Sequence, residues 1–247
     1  MAITAQTRTE LVQLVVSMLG EAPSTAMLTD LVTKANAGST IQELADHLAT
    51  NAAFTSSFPI WMTAAEFTKQ VVDNVFAGSS VTDADKTAAI DYIAGAITAG
   101  TFTKTSAVVA LTSYLASEDG VANETYGSAA QAYQNKVDVA EYYTVTSGQG
   151  GASAADRKAA LAGVTDAADS VTTAKSTVDA DAAAAAAAAA VVPSNDATLT
   201  TKAETITGGA GDDTFTAVVT GAGAAGTTIL PGDVINGGAG NDTLTIS

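Results

Sequence analysis

Gly208-Gly209-Ala210-Gly211-Asp212-Asp213-Thr214-Phe215-Thr216 and Gly237-Gly238-Ala239-Gly240-Asn241-Asp242-Thr243-Leu244-Thr245 are two copies of one nonapeptide. Their shared pattern is G-G-x-G-x-D-x-U-x, where U is a large apolar residue. Glycine reaches positive φ without steric cost, so the first half of the pattern can turn backbone carbonyls toward one point. The Asp adds a charged oxygen. The x-U-x that follows alternates like a short strand, with Phe215 or Leu244 expected to face inward. Such turns suit calcium, which takes six to eight hard oxygen ligands. One turn supplies about half of that shell, so an ion has to sit between neighbouring turns.

The neighbouring half-turns are present. Glu204-Thr205-Ile206-Thr207 precedes the first copy and Asp233-Val234-Ile235-Asn236 the second. Each places a carboxylate nine residues before the motif Asp, Glu204 before Asp213 and Asp233 before Asp242. Ile206 and Ile235 repeat the inward apolar position. The candidate metal-binding residues are therefore Glu204, Gly209, Gly211 and Asp213 in one copy, and Asp233, Gly238, Gly240 and Asp242 in the other. The alternative is a pair of metal-free glycine-rich hairpins. The pattern resembles the calcium-binding repeat of RTX proteins, which stack into parallel β-rolls. That resemblance implies calcium as the ion.

Ten Lys plus Arg stand against twenty-six Asp plus Glu, a net charge of −16. This balance excludes a nucleic-acid partner, whose phosphates need a basic surface. With no Cys in the chain, no disulfide can staple it, and a cation is an alternative staple. The N-terminus lacks the basic and apolar regions of a Sec signal peptide. No stretch reads as a membrane span. The sequence stops inside a strand pattern at Thr245-Ile246-Ser247, so we expect a fragment of a longer protein, with more repeats beyond.

Residues 1–147 read as a helical domain. Leu11, Leu14, Val15, Met18 and Leu19 form one apolar stripe at helical period. Thr7-x-x-Glu10, Ser39-x-x-Gln42, Thr63-x-x-Glu66 and Thr82 are candidate N-caps. Gly20, Gly38, Gly78 and Gly100 read as helix stops. Their spacing suggests two related three-helix units. Residues 148–196 read as a connecting segment. Ser153 caps it, and Leu161, Val164, Ala168, Val171, Lys175, Val178 and Ala182 form a seam with one flaw at Lys175. Nine alanines, Ala182 to Ala190, follow. The segment is either one long helix or a partly frayed linker, closed by Pro193. Residues 197–247 read as the start of the β-roll. The fold class is thus mainly α: a multi-helix domain, a long connecting helix, then a parallel β-roll.

Two segments carry a second resemblance. Ala132-Tyr-Gln-Asn-Lys-Val-Asp-Val-Ala-Glu-Tyr-Tyr-Thr144 is similar to the F-x-N-K-x-x-V-A-x-Y-Y-T stretch of a helical domain found in bacterial surface and RTX proteins. Met18-Leu-Gly-Glu-Ala-Pro-Ser-Thr25 is similar to that domain's L-G-R-x-P-D turn, with Glu21 and Ser24 departing from it. Together with the repeats, this order of parts resembles the calcium-dependent surface-layer proteins of alphaproteobacteria. That resemblance implies type I secretion, an extracellular position on the cell surface, a lattice of copies of the chain, and a helical domain that binds the O-polysaccharide of lipopolysaccharide. An RTX adhesin or matrix fibre, or a non-catalytic module of an RTX exoenzyme, shares the same features.

No catalytic site is expected. There is no Cys nucleophile, no G-x-S-x-G elbow and no H-E-x-x-H helix. His47, the one histidine, reads as a core-edge or surface residue. Asp83 and Asp85 read as first-turn carboxylates that favour the helix dipole. Trp61, Tyr114, Tyr126, Tyr133, Tyr142 and Tyr143 can stack on sugars, but aromatics at helical spacing more often build core.

Overall fold

Helix α1 (Ala5–Leu19) is the axis of the helical unit. Its later turns are buried nearly all round: Leu11, Val12, Leu14, Val15, Val16 and Met18 are all 0% exposed. The one-sided stripe read from the sequence therefore understates it. Val12 and Val16 lie off that stripe, and a helix enclosed on several sides buries them too. The computed structural model describes residues 3–190, 195–220 and 226–247.

Around α1 pack α2 (Thr25–Asn36), α3 (Ile41–Leu48), α4 (Ala52–Ser57), α5 (Ala64–Phe76), α7 (Lys104–Leu115) and α9 (Gly127–Glu141). Helix α6 (Asp83–Thr98) lies on α5, and α8 (Glu118–Ala122) on α9. A π-helical turn, Tyr142–Thr146, extends α9. It brings Tyr143 and Thr144 inward, and Thr144 Oγ1 donates to Pro23 O at 2.7 Å. Gly20, Gly38, Gly78 and Gly100 all have positive φ, the left-handed conformation that ends a helix and that glycine adopts without strain.

Capping is local chemistry and is mostly where the sequence puts it. Thr63, Thr82 and Ser153 are N-caps, and Thr63 and Ser153 form full capping boxes with Glu66 and Asp156. Two caps shift. Helix α1 is capped by Thr4, not Thr7, and α3 by Thr40 with Glu43 in place of Ser39 with Gln42. In each case another hydroxyl within three residues does the same work.

The expected connecting segment is not one helix. Helix α10 (Ala154–Ala162) ends at Gly163, and α11 (Ala168–Ala190) starts after a turn. The apolar seam survives the break, because Leu161, Val164 and Val178 are 4%, 0% and 2% exposed, with Val164 in the turn itself. Lys175, the flaw in the seam, reaches Asp138 at 2.8 Å and lies over the Tyr142 ring. Arg157 of α10 donates to Glu21 Oε1, Ala22 O and Ala152 O, which ties α10 to the turn after α1. Pro193, the expected stop, lies outside the described residues.

The chain divides into two compact units, residues 1–182 and 183–247, so the segment 148–196 is shared between them. Among the described residues the second unit holds five short strands: β1 (Ala197–Thr198), β2 (Thr205–Thr207), β3 (Thr214–Ala217), β4 (Val234–Asn236) and β5 (Thr243–Ile246). All pair in parallel, in a sheet ordered β1-β3-β5 and another ordered β2-β4. Successive strands alternate between the sheets, which is a coil. Leu199, Phe215 and Ala217 are buried, with Ile206 and Ile235 packed against them. Phe215 thus faces the core as expected. Leu244 does not: it is 45% exposed, on a strand with β3 on one side only.

Candidate metal centre

Each nonapeptide carboxylate holds two turns together. Asp213 Oδ2 accepts the amide of Gly209 in its own turn at 2.6 Å, and Oδ1 accepts the amide of Asn195, one coil earlier, at 2.5 Å. Asp242 Oδ1 in turn accepts the amide of Asp213 at 3.1 Å. Asn195, Asp213 and Asp242 are therefore one ladder. On the other side of the roll, Asp233 Oδ1 accepts the amide of Glu204 at 2.8 Å, and its Oδ2 accepts that of Leu230 at 2.7 Å. Glu204 brackets its own turn through Thr200 N at 2.8 Å and Thr200 Oγ1 at 2.7 Å.

The glycines are needed because the coils come this close. Gly238 and Gly240 have φ of 94° and 120°. A Cβ on Gly238 would collide with Gly209 O, and one on Gly240 with Gly211 O. The four glycines singled out from the sequence are thus brought together in pairs across the coils. Asp213, whose carboxylate accepts the Gly209 amide, is 1% exposed. Among the described residues no Lys or Arg forms an ion pair with Asp213, Asp242, Glu204 or Asp233. A buried carboxylate without a cation is costly.

This donor set fits a hard cation. It offers glycine carbonyls and single carboxylates and no nitrogen or sulfur. Among the described residues no three His, Cys, Asp or Glu side chains cluster as a metal site, so most ligands would be backbone oxygens. Asp213, Asp242 and the carbonyls of Gly209, Gly211, Gly238 and Gly240 would hold the ion. Glu204 and Asp233 are the corresponding acids of the intervening half-turns. Calcium, if bound here, would supply the positive charge that this stack of acids lacks.

Two features escaped the sequence reading. Asn195 occupies the Asp position of an earlier coil, eighteen residues before Asp213, without any glycine to mark it. Its Nδ2 also donates to Thr207 O at 3.0 Å. Asp212 is the other: its Oδ1 accepts the amide of Asn241 at 2.8 Å, an inter-coil bond visible in sequence only as an Asx in both copies. The coil length also changes. Ala197 pairs with Phe215, a step of 215 − 197 = 18, whereas Phe215 pairs with Leu244, a step of 244 − 215 = 29. The difference, eleven residues, is an excursion between β3 and β4. Thr228 N donates to Val218 O at 2.8 Å to close it.

His47 is half-buried at the edge of the core, its Nε2 2.5 Å from Asp30 Oδ2. Tyr133 is core, as expected for an aromatic at helical spacing, whereas Trp61 is not and stands 75% exposed.

Residues 200–217 and 232–245 match the family described as RTX calcium-binding nonapeptide repeat (4 copies). The gap in the match, 218–231, falls between β3 and β4, where the longer coil has its extra residues. No curated protein matches the chain. The chain carries RTX calcium-binding repeats, and repeats of this kind are typical of secreted proteins. Among the described residues no helix is long and apolar enough to cross a membrane.

Proposed function

We propose that the chain is a secreted, non-catalytic structural subunit of a cell-surface layer. Its repeats order with calcium, and its helical unit attaches it to the O-polysaccharide of lipopolysaccharide. The observation that carries this reading is Asp213, a carboxylate 1% exposed and held by two backbone amides among stacked glycine turns. A module completed by calcium suits a protein that assembles where calcium is plentiful.

The polysaccharide part rests on the resemblance of residues 18–25 and 132–144. Within the second segment Tyr133, Asn135 and Lys136 are 0%, 9% and 4% exposed, so these residues build the domain and sugar contacts come from its surface. Charge favours the outer sugars. Lipopolysaccharide is anionic near the membrane and this chain carries −16, so contact through a basic patch is disfavoured. Hydroxyl hydrogen bonds and aromatic faces to the less charged O-polysaccharide avoid that repulsion.

The test is co-sedimentation of the full chain with smooth lipopolysaccharide and with a rough form lacking O-polysaccharide, in calcium and in chelator. Binding to the smooth form alone, retained in chelator and weakly dependent on salt, is expected. Equal sedimentation with both forms contradicts it and favours a calcium bridge to the inner sugars.

A further inference from the structure

Two features of the helical unit have no role so far. The first is the turn between α4 and α5. Met62 N donates to Pro59 O at 3.0 Å, which leaves Ile60 and Trp61 at the tip, 99% and 75% exposed. The turn is braced. Lys104 Nζ donates to Met62 O at 2.6 Å, and Phe58, next to Pro59, stacks on Phe54 at 4.6 Å between ring centroids and meets Phe67 tilted at 5.1 Å. Two large apolar side chains held outward on a braced turn form a wedge, and leaving them in water forgoes the gain from burial.

The second is a trough between α6 and α7 of about 620 Å³. It exists because α6 leans on α5: Ala94 is its one fully buried residue, and Ile90, Ile93 and Ile97 are half-covered. Phe76 and Leu115 form the floor; Tyr92, Phe102, Tyr114 and Tyr126 form the walls. Among the described residues no charged side chain lines it. Its size is in the range of sites that enclose a ligand or an anchoring side chain.

We propose that the wedge of one copy seats in the trough of another. Three observations favour a second copy as the occupant. A chain of net charge −16 repels its own copies, so contact is cheapest where carboxylates are absent, and both features lack them. Glu66, the acid nearest the wedge in sequence, lies in the first turn of α5 and is folded back to accept from Thr63 N at 2.9 Å. The flanking charges are opposite: Lys104 braces the wedge, while Asp91 and Glu124 are next in sequence to the trough residues Tyr92 and Asn123. Finally, α7 serves both features, since Lys104 holds the wedge and Leu111 and Tyr114 line the trough. A wedge-to-trough contact is heterologous, so it joins copies head to tail into rings or open arrays. It is also small, so it holds only at the high local concentration of a surface or a dense solution. The inference does not depend on the polysaccharide reading, which the sedimentation assay tests separately.

Trp61 is the only tryptophan, so its fluorescence reports the wedge directly. In chelator, where the repeats contribute no calcium-linked contact, emission of the full chain should shift to shorter wavelength as protein concentration rises. Filling the trough by Ala110→Phe, or independently by Ala88→Phe, both exposed positions on its lining, should weaken the association about tenfold or more. Adding the Trp61→Ser chain, which keeps its trough but has no tryptophan, should restore the shift in the Ala110→Phe chain. Emission independent of concentration overturns the proposal. So does a shift unaffected by either trough variant, or a shift produced by phosphatidylcholine vesicles and not by protein.

Discussion

Lys136 pays for its position. It is 4% exposed, its Nζ donates to Asn74 O at 2.9 Å, and no carboxylate pairs with it among the described residues. Asn74 lies in the last turn of α5, where a cation also meets the negative end of the helix dipole. Burial nevertheless pulls the lysine from its ordinary 10.5 down to about 8, a penalty of about 3 kcal/mol. Below about pH 8 the amine is charged in both the folded and unfolded chain, and the penalty is carried in full. Between about 8 and 10.5 the folded chain gives up the proton while the unfolded chain keeps it, so stability rises with pH. Tyr133 has the opposite effect above its ordinary 10.0. Burial holds its phenol neutral in the folded chain, so the unfolded chain gains as it ionises. The thermal midpoint should therefore climb from about pH 8 to about pH 10 and then fall. Lys136→Met should lose the climb and keep the fall. Parallel curves for the two chains would show that Lys136 is not the group responsible.

Among the elements, the acids of the roll are bonds between coils as well as candidate ligands. Asp213→Ala removes a charged ligand and also strands the amides of Asn195 and Gly209, each charge-assisted bond being worth about 1.5–3 kcal/mol. Asp242, an exposed residue, strands one amide when changed to Ala, that of Asp213. Asp212→Ala loses one inter-coil bond and no motif carboxylate. Calorimetric titration should rank the loss of calcium affinity as Asp213, then Asp242, then Asp212, with the first about tenfold or more; a reversed order contradicts the assignment. These acids were legible because the repeat prints them at fixed spacing. The stopping glycines and most caps were legible for a similar reason: they depend on bonds within three or four residues. What escaped depends on distance. The excursion between β3 and β4 carries no motif. Asn195 joins the ladder only through a residue eighteen positions on. The turn between α10 and α11 was hidden because Val164 keeps the apolar seam intact through it.

At the scale of the whole molecule, two units obtain their stability from different sources. The helical unit has an apolar core of the kind that needs no ion, from Leu11 through Phe67 to Tyr133. Among its described residues the roll has three buried apolar residues, Leu199, Phe215 and Ala217, too few to hold its stacked acids together by burial alone. That asymmetry was visible in outline from the sequence, where helical stripes give way to glycine and Asp. The outward position of Trp61 was not, because Phe54, Phe58 and Trp61 all fall in a connection around Pro59, and nothing periodic there tells the two buried rings from the exposed one. The central claim is that calcium orders the second unit and leaves the first unchanged. Hydrogen exchange of the full chain with and without chelator tests it most directly. In calcium the amides of Gly209, Asp213, Val234 and Thr243 should be protected, and in chelator they should exchange freely, while protection across α1 and α9 stays the same. Equal protection of the roll in both conditions, or loss of protection in α1 along with it, would contradict the account.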